Sequence, residues 1–447
     1  MCAMKHSYPK DLASIVSRQW NAPPAAMDGE RPPSGTVCDP LPEPSVLEVL
    51  LSTCYQASLM VEEGRPVTFR LLFKDPDRLD ARQGPPEGLH RVAFGEPRPF
   101  NEDELRRLSP AADFHRSLIG VNLHPMEGLR VWGIVNSGPR WMQAVYGGRK
   151  TTGFLPPAPV IRVTGPGRLA VCRGGEMVAA LNSGLISLPK GDILGSHWLP
   201  ASFTPSGNTL IRLHREARER AANSWAALDE SFIRILTQQV YRRIVSIVRS
   251  FRHGGTIILV PQERAAELTS DNRCIDIKYK FAEEEPRYRI GTLYLQIMNT
   301  LAEECGKQGF MHRPVGWNEY VASTSVAIER LDEAIFEAAH LVADLTRIDG
   351  AVVMTKSLEL LGFGGEILSR SSRVETVAQA LDAEGEQRRV ESTRGVGTRH
   401  RSAYRLCHEF RDAVAVVVSQ DGIVRVIVWK EDMVVYWDQA TLSTFDF

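Results

Sequence analysis

The sequence predicts an α/β protein with two folded parts: a mixed-sheet α/β domain at the C-terminal end and a β-rich α+β domain before it. Two observations support this prediction. Between residues 118 and 188, short apolar runs alternate with glycine- and proline-rich turns, which is typical of a compact, largely antiparallel β domain. From residue 210 onward, segments with apolar residues at intervals of three or four alternate with short apolar runs, which is typical of an α/β sheet.

The composition is that of a globular protein without a strong overall charge. The 53 Lys and Arg residues nearly cancel the 54 Asp and Glu residues, so no global field attracts nucleic acid, and any attraction for phosphate must be local. The seven cysteines are scattered without a CxxC pair, which favours neither a zinc site nor a disulfide framework. No signal peptide and no run of about 18 apolar residues is visible. We therefore expect a cytoplasmic protein with neither a nucleic-acid nor a membrane partner.

Changes in composition divide the chain into four segments. Residues 1–44 are rich in proline and glycine and are predicted to form a disordered or extended leader. Residues 45–205 form the β-rich domain, with a helix from Ser45 to Glu62, a strand from Val67 to Phe73 and a turn-rich stretch from Gly84 to Pro99. Residues 206–252 are a helical connector that begins the last domain, and residues 253–447 complete that domain.

The C-terminal elements follow an α/β order. Leu210–Phe251 contains one or two long helices, Thr256–Val260 is a buried strand and Cys274–Phe281 is an edge strand. The remaining predicted elements are helices over Gly291–Glu304 and Asn318–Thr346 and a closing hairpin of Val414–Ser419 and Ile423–Trp429. A charged insert near Arg370–Glu391 is predicted to be a mobile loop.

One carboxylate stands at the start of a predicted buried strand. Asp349 precedes Gly350 and Ala351, and the helix before it delivers the chain directly to this point. A carboxylate in this place can hold a divalent cation or orient a hydroxyl group. The glycine allows a ligand to approach the backbone closely. Alone, the acid is more readily explained as a strand-end residue that satisfies a turn.

A basic turn lies further along the chain. Thr398, Arg399, His400 and Arg401 place a hydroxyl group, two guanidinium groups and an imidazole in four consecutive positions, between Gly397 and Ser402. A helix is predicted from Ser402 to Phe410, so these residues would lie at a helix N-terminus, where backbone N–H groups and the helix dipole favour an anion. The alternative is an exposed loop that contacts nucleic acid, although one short cluster makes few phosphate contacts.

Together, the Asp-Gly-Ala and Gly-Thr-Arg-His-Arg-Ser-Ala segments resemble the paired signature of diadenylate cyclases, the DisA-like nucleotidyltransferase family. The resemblance covers about residues 220–447. It implies a DisA-N-like fold, condensation of two ATP molecules into cyclic di-AMP with release of two pyrophosphates, and a requirement for Mg²⁺ or Mn²⁺. The preceding domain resembles the DACNV-type sensor domain of some of these cyclases, across residues 128–133 and 165–169.

The resemblance also implies roles for individual residues. Asp349 would bind the metal and the attacking hydroxyl group, and Gly350 and Ala351 would leave room for the ribose and base. The residues that would hold the triphosphate are Gly397, Thr398, Arg399, His400, Arg401 and Ser402.

Three further residues follow the Asp349 strand in the sequence. Gly364 and Gly365 either cradle phosphate or form a wall of the nucleotide site, although they are not a P-loop, because no Lys-Ser/Thr follows. Phe363 either faces the base or packs in the core.

The sequence departs from the family pattern in two places. Where many members carry an acidic pair after a serine, this chain has Ser419, Gln420 and Asp421, so Asp421 is either a metal ligand or a turn residue. The gap between Asp349 and Arg399 is also longer than usual. These departures leave a second hypothesis open, in which the fold is a catalytically inactive nucleotide-binding sensor.

The expected product also sets the expected assembly. One cyclase domain provides one ATP site, so two domains must face each other, and we expect a homodimer or a higher even oligomer. The N-terminal domain would regulate this pairing through a ligand that the sequence does not identify.

Overall fold

The computed structural model describes residues 6–21, 38–80, 82–84, 88–114, 116–138, 157–182, 184–188, 193–251, 253–270, 274–310, 312–368, 373–420 and 422–438. Two large sheets dominate these residues. All strands of the first sheet come from the segment between residues 69 and 187, and all strands of the second come from residues 255–438.

The N-terminal domain is an eight-stranded sheet with helices packed on one face. Its helices are α1 (Pro9–Gln19), α2 (Pro44–Ser58) and α3 (Glu102–Leu108). A separate two-stranded pair is formed by β1 (Val61–Glu62) and β2 (Arg65–Pro66). The sheet strands are β3 (Phe69–Phe73), β4 (His90–Pro99), β5 (Ser117–His124), β6 (Gly128–Asn136), β7 (Pro159–Gly165), β8 (Arg168–Arg173), β9 (Glu176–Asn182) and β10 (Leu185–Ser187). Their order is β10-β9-β8-β7-β3-β5-β6-β4, and β3 pairs with β5 in parallel.

Alternation along the strands separates the two faces of this sheet. Phe69, Leu71 and Ile161 point into a core shared with Leu12 of α1 and Leu47 of α2. The opposite face carries a smaller apolar cluster, which includes Leu72, Leu118, Val160 and Cys172.

Two N-terminal predictions are corrected by the structure. Part of the predicted leader is the helix α1, because Leu12, Val16 and Trp20 recur at intervals of four and are buried. The turn-rich stretch contains β4, which pairs with β6 around a register shift between Ala93 and Arg98. Residues 22–37 of the leader lie outside the described residues.

A helical connector leads into the second sheet. The helices of this part are α4 (Trp198–Ala201), α5 (Thr204–Glu219), α6 (Ser231–Ser250), α7 (Ala265–Thr269), α8 (Glu284–Lys307), α9 (Trp317–Ala322), α10 (Val326–Leu345) and α11 (Thr398–Glu409). The strands are β11 (Gly255–Val260), β12 (Ile275–Lys280), β13 (Ala351–Thr355), β14 (Leu360–Ile367), β15 (Thr376–Ala380), β16 (Arg388–Ser392), β17 (Val414–Val418), β18 (Val424–Lys430) and β19 (Met433–Asp438).

The second sheet is mixed and has the order β12-β14-β13-β11-β17-β18-β19-β15-β16. β11 runs parallel to β13 and antiparallel to β17, and β12 lies at the predicted edge. One face packs on α6, α8 and α10 through the largest core cluster. The other face packs on α7 and α11 through two smaller clusters. A mixed-sheet α/β architecture is therefore confirmed for this part of the chain, and its sheet lies between two layers of helices.

The charged insert is folded, which corrects the prediction of a mobile loop. β15 and β16 form an antiparallel hairpin, and β15 adds to β19 in parallel. The insert folds because apolar side chains of β15 are buried in the core: Ala378 and Ala380 join the largest core cluster, and Val377 joins one of the clusters on the α11 face of the sheet. Asp382 caps the hairpin turn by accepting hydrogen bonds from the backbone N–H groups of Glu386 at 2.9 Å and Gln387 at 2.7 Å.

Across the described ranges, every helix is too short or too polar to cross a bilayer.

Candidate functional site

The central strands of the second sheet bring four chain segments to one edge. We call this edge the glycine edge and define it by residues 253–255, 349–351, 364–365 and 418–420. Gly255 of β11 pairs with Val418 of β17, and Ala351 of β13 pairs with Gly365 of β14. Because β11 and β13 are parallel, both strands begin at this edge.

Asp349 lies on the turn that enters β13. The helix α10 ends at Leu345, and Asp349 and Gly350 are exposed, whereas Ala351 is buried as the first residue of the strand. Gly350 has φ +116°, and a Cβ atom there would lie 2.6 Å from the carbonyl carbon of Gly364. The close approach of the two backbones therefore requires glycine, and it places the Asp349 turn directly against Gly364 and Gly365.

The basic turn forms the start of helix α11, one turn earlier than the sequence predicts. Gly397 is the N-cap in an extended conformation, and Thr398 and Arg401 are exposed. Arg401 N–H donates to Gly397 C=O at 3.1 Å, so the earlier N–H groups point out of the helix end. A Cβ atom at Gly397 would meet nothing within 4 Å. The helix end is therefore open, and its dipole favours an anion.

Arg399 connects this helix end to the glycine edge. Its Nη1 atom donates a hydrogen bond to the backbone oxygen of His253 at 3.0 Å. The same atom lies 2.6 Å from the position that a Cβ of Gly254 would occupy. Arg399 thus spans from α11 to the start of β11, and Gly254 leaves the space for it.

The register of the parallel strands relates Arg399 to Asp349. Ile257 of β11 pairs with Val352 of β13, so the starts of these two strands, preceded by Gly254 and Asp349, lie at the same end of the sheet. Neighbouring strands are about 4.8 Å apart. The acid-bearing turn and the guanidinium group therefore lie at the same edge of the sheet.

Substitution of Gly254 tests this packing. Gly254 has φ +73°, and an added Cβ would lie 2.6 Å from Arg399 Nη1 and 2.7 Å from Val418 O. We expect Gly254→Ala to lower the free energy of unfolding by about 1–3 kcal/mol, as urea denaturation would measure. Gly397→Ala is the matched control, because that position has open space and φ −60°. Equal stability of both variants would contradict the packing.

An ion-pair network holds α11 against the sheet. Tyr404, one turn below His400, is buried, and Arg425 Nη1 donates to its hydroxyl oxygen at 3.1 Å. Arg425 Nε also donates to Asp438 Oδ1 at 2.7 Å, and the ring centroids of His400 and Tyr404 lie 6.5 Å apart. Burial raises the pKa of Tyr404, although the Arg425 charge opposes this. The phenol therefore stays neutral at physiological pH and anchors the helix through its hydroxyl group.

The inserted hairpin joins the same network. Tyr436 donates its hydroxyl proton to Glu391 Oε2 at 2.6 Å, and Arg389 Nη2 lies 2.7 Å from Glu391 Oε1. Burial alone would raise the pKa of Glu391, but these two hydrogen bonds outweigh it and lower that pKa. The ionised carboxylate links β16 to β19, next to the strand that anchors α11.

Phe363 packs against two other aromatic side chains. Its ring stacks on that of Tyr279 at a centroid distance of 4.7 Å and lies 6.0 Å from the ring of Phe281. Phe363 is half-buried against the largest core cluster, whereas Tyr279 is 52% exposed. The position of a Cβ at Gly364 lies 3.0 Å from the Tyr279 ring. The aromatic surface beside the glycine edge is therefore that of Tyr279.

The metal-ligand set at this edge is sparse. Across the described ranges, no three His, Cys, Asp or Glu side chains come together as a metal site. Asp421 lies outside those ranges, and Gln420 stands at the edge, its backbone nitrogen 3.2 Å from the position of a Gly254 Cβ. One exposed carboxylate beside an anion-favouring helix end nevertheless fits Mg²⁺ or Mn²⁺ held through substrate phosphates, because Mg²⁺ is commonly bound by one or two carboxylates plus phosphate oxygens.

The structure adds three residues that the sequence did not indicate. His253 and Gly254 look like a helix C-cap in the sequence, yet they contact Arg399. Tyr279 belongs to a predicted edge strand without an assigned role. One feature of the sequence could have predicted the contact with Arg399. Gly254 and Gly255 precede a buried strand, and such a glycine pair permits close approach of another chain segment.

Comparison with known families identifies one part of the chain. Residues 36–136 match the family model described as "Probable sensor domain DACNV". No curated protein and no solved structure matches the chain. The matched segment includes α2 and strands β3 to β6 of the first sheet. The match supports the prediction of a DACNV-type sensor domain in the N-terminal part of the chain.

Proposed function

We propose that the protein is a diadenylate cyclase whose C-terminal domain condenses two ATP molecules into cyclic di-AMP and two pyrophosphates under control of the N-terminal sensor domain. The observation that supports this most strongly is that the Asp349 turn and the Arg399 guanidinium group both lie at the glycine edge. DACNV domains are associated with diadenylate cyclases, which supports the same function. The cytoplasm, where ATP is available, is the proposed location.

The proposed reaction is attack of the 3′-hydroxyl of one ATP on the α-phosphorus of another. The open N-terminus of α11 and the side chains of Thr398, Arg399 and Arg401 would bind the triphosphate and neutralise its charge. His400 and Ser402 would add hydrogen-bonding groups on the same turn of helix. Catalysis of this kind consists mostly of positioning and charge neutralisation, so a pre-formed phosphate site is its main requirement.

Asp349 would orient the attacking hydroxyl group. Its carboxylate is exposed at the glycine edge, where Gly350 leaves the backbone accessible to a ribose. Asp349 would also hold Mg²⁺ or Mn²⁺, which when bound supplies Lewis-acid stabilisation of the phosphate charge. Gly364 and Gly365 form the wall behind Gly350, and the exposed ring of Tyr279 offers a surface for the base.

Incubation of the purified protein with each of the four NTPs and with Mg²⁺ or Mn²⁺ tests the proposal directly. We expect cyclic di-AMP and pyrophosphate from ATP in a 1:2 ratio, as chromatography with mass detection would show. The selectivity for ATP over the other NTPs is part of the same measurement. A failure to form any cyclic dinucleotide with either metal would reject catalysis.

The reaction requires two nucleotides in opposite orientation, so activity should depend on self-association. We expect the specific activity to fall as the protein is diluted through the dissociation constant of the dimer, because a pair of facing domains supplies both ATP molecules. Analytical ultracentrifugation at the same concentrations measures the monomer fraction. A monomer with full activity at nanomolar concentration would contradict the expected assembly.

A second candidate function is nucleotide binding without catalysis. It is favoured by Gln420, which stands at the glycine edge where many diadenylate cyclases carry an acidic residue. In that case, calorimetry would detect tight nucleotide binding, while product would be absent with every NTP and either metal. Gln420→Glu distinguishes the two functions further, since only the enzyme should change its metal dependence.

A further inference from the structure

The segment that follows the first sheet is docked on the inserted hairpin of the second. The backbone N–H of His197 donates to Glu384 Oε1 at 2.8 Å, and Trp198 Nε1 donates to the backbone oxygen of Ala383 at 3.1 Å. Both acceptors belong to the turn between β15 and β16. We call this contact the interdomain dock and define it by residues 193–201, 381–387 and 437.

Trp437 of β19 is at the centre of the interdomain dock. Its ring centroid lies 4.8 Å from that of Trp198, and its Nε1 donates to the backbone oxygen of Asp382 at 3.0 Å. Gly385 has φ +69°, and a Cβ atom there would lie 2.6 Å from the Trp437 ring, so glycine allows the turn to pack directly on that ring. One buried aromatic ring is therefore covered by the interdomain segment and by the hairpin turn together.

The interdomain dock is linked to helix α11 through the residue that follows Trp437. Asp438 Oδ2 accepts a hydrogen bond from Gln379 Nε2 of β15 at 2.8 Å, and its Oδ1 accepts from Arg425 Nε of β18 at 2.7 Å. Arg425 in turn donates to the hydroxyl oxygen of Tyr404 on α11 at 3.1 Å. The carboxylate of Asp438 therefore joins the inserted hairpin to the anchor of α11.

The interdomain dock lies partly at the surface. His197 is exposed, and Trp198 and Glu384 are half-buried, whereas the strands at the centre of the second sheet are buried. Contacts at the surface open locally at a lower free energy than those of a buried sheet. Movement of the interdomain segment can therefore release the hairpin turn without unfolding the sheet.

We infer that the interdomain dock transmits the state of the sensor domain to the triphosphate site, with Trp198 as a positioning residue for α11. When the dock is closed, Trp198 and the hairpin turn hold Trp437, and β19 presents Asp438 to the anchor of α11. Release of Trp198 would loosen this anchor, and Arg399 would be held less firmly for phosphate. The inference rests on the proposed function, which assigns the triphosphate to α11. The charged insert would then serve as the docking surface for the interdomain segment.

Hydrogen exchange on the full chain tests the inference with the variant Trp198→Ala. We expect the amides of residues 381–387 to exchange at least about tenfold faster, and those of residues 402–409 in α11 at least about threefold faster. Exchange in β11 and β13 should stay as in the wild type, because the centre of the sheet does not depend on the dock. Trp198→Phe keeps an aromatic ring beside Trp437 and should restore most of the protection.

Binding of ATP without metal gives a readout that a purely structural contact would not change. Calorimetry should show that Trp198→Ala raises the dissociation constant of ATP by at least about fivefold, because the phosphate-binding groups of α11 are less well positioned. Trp225→Ala is the matched control, since that ring packs on His214 at a centroid distance of 6.2 Å rather than on Trp437. The control should leave ATP binding within about twofold of the wild type.

A milder variant covers the case in which Trp198→Ala does not fold. Glu384→Ala removes the acceptor of the His197 N–H group from a half-buried position in the hairpin turn. It should produce the same pattern of exchange with a smaller amplitude, at least about threefold in residues 381–387 and detectable in α11.

The outcomes separate this inference from the proposed function. Faster exchange in the hairpin turn with unchanged exchange in α11 and unchanged ATP binding would overturn the inference, as would equally faster exchange in β11 and β13. If the wild type forms no cyclic di-AMP while Trp198→Ala alters α11 and ATP binding as expected, the coupling stands and catalysis is rejected. If the wild type forms the product and α11 does not respond to either variant, catalysis stands and the coupling is rejected.

Discussion

Arg399→Ala is expected to lower the rate of cyclic di-AMP formation by at least about 100-fold, as removal of one donor from a charge-stabilising site does elsewhere. Arg399 is the side chain that extends from the N-terminus of α11 to the glycine edge. Among the residues that the structure describes, one of its five N–H groups is used at His253, and the others remain for phosphate oxygens. Product formation under saturating ATP and Mn²⁺ measures the effect, and circular dichroism checks the fold.

The control for Arg399→Ala is Arg411→Ala, at the opposite end of the same helix. The Arg411 guanidinium lies 4.3 Å from the centre of the Trp429 ring and is remote from the helix N-terminus. Its replacement should leave product formation within about twofold of the wild type, since surface changes away from a site have small effects. Equal activity in the two variants would show that the N-terminus of α11 does not bind the triphosphate.

Asp349→Asn is expected to reduce product formation by about 10³-fold, because the substitution keeps the shape of the side chain and removes the charge that a metal ion and the hydroxyl group require. Asp349 is exposed on its turn, so the variant should retain the stability of the wild type. Binding of ATP without metal should be kept, which separates a loss of chemistry from a loss of the nucleotide site.

Asp344→Asn is the matched control for Asp349→Asn. Asp344 is an exposed acid at the end of α10, where it lies 3.6 Å from Arg347 in a surface ion pair. Such pairs contribute about 0–1 kcal/mol, so neither stability nor activity should change appreciably. If Asp349→Asn keeps full activity while Arg399→Ala loses it, Asp349 is a turn residue and the metal is held elsewhere.

The positions of the site residues could largely be predicted from the sequence because they depend on short-range patterns. Asp349 and Gly350 precede an apolar run, and the run from Gly397 to Ser402 precedes a helical pattern; the structure places these segments at a strand start and a helix start. The location of Asp349 and Arg399 at the same edge of the sheet could not be read from the residues alone. It depends on the parallel pairing of β11 with β13 and on the absence of a side chain at Gly254, which leaves room for the Arg399 guanidinium group.

Two errors have a common physical origin. The leader contains α1, and the charged insert contains β15 and β16, although both segments are poor in large apolar residues. Each is stabilised by a few buried side chains that dock on a sheet or core formed elsewhere, such as Leu12 and Val16 in one case and Val377 in the other. Composition over a long window does not detect such docking, because the partner surface lies far away in the sequence.

The sequence by itself determined the two sheet-forming regions, the strand and helix types of most elements, and the acidic and basic segments with their local geometry. These features follow from periodicity, turn residues and backbone preferences, which act over a few residues. Only the tertiary structure decided that Asp349, Gly254 and Arg399 share one edge, that Phe363 packs against Tyr279, and that Asp438 links Gln379 with Arg425. Those juxtapositions depend on strand order and register, which are set by burial of the whole sheet rather than by any short stretch of the chain.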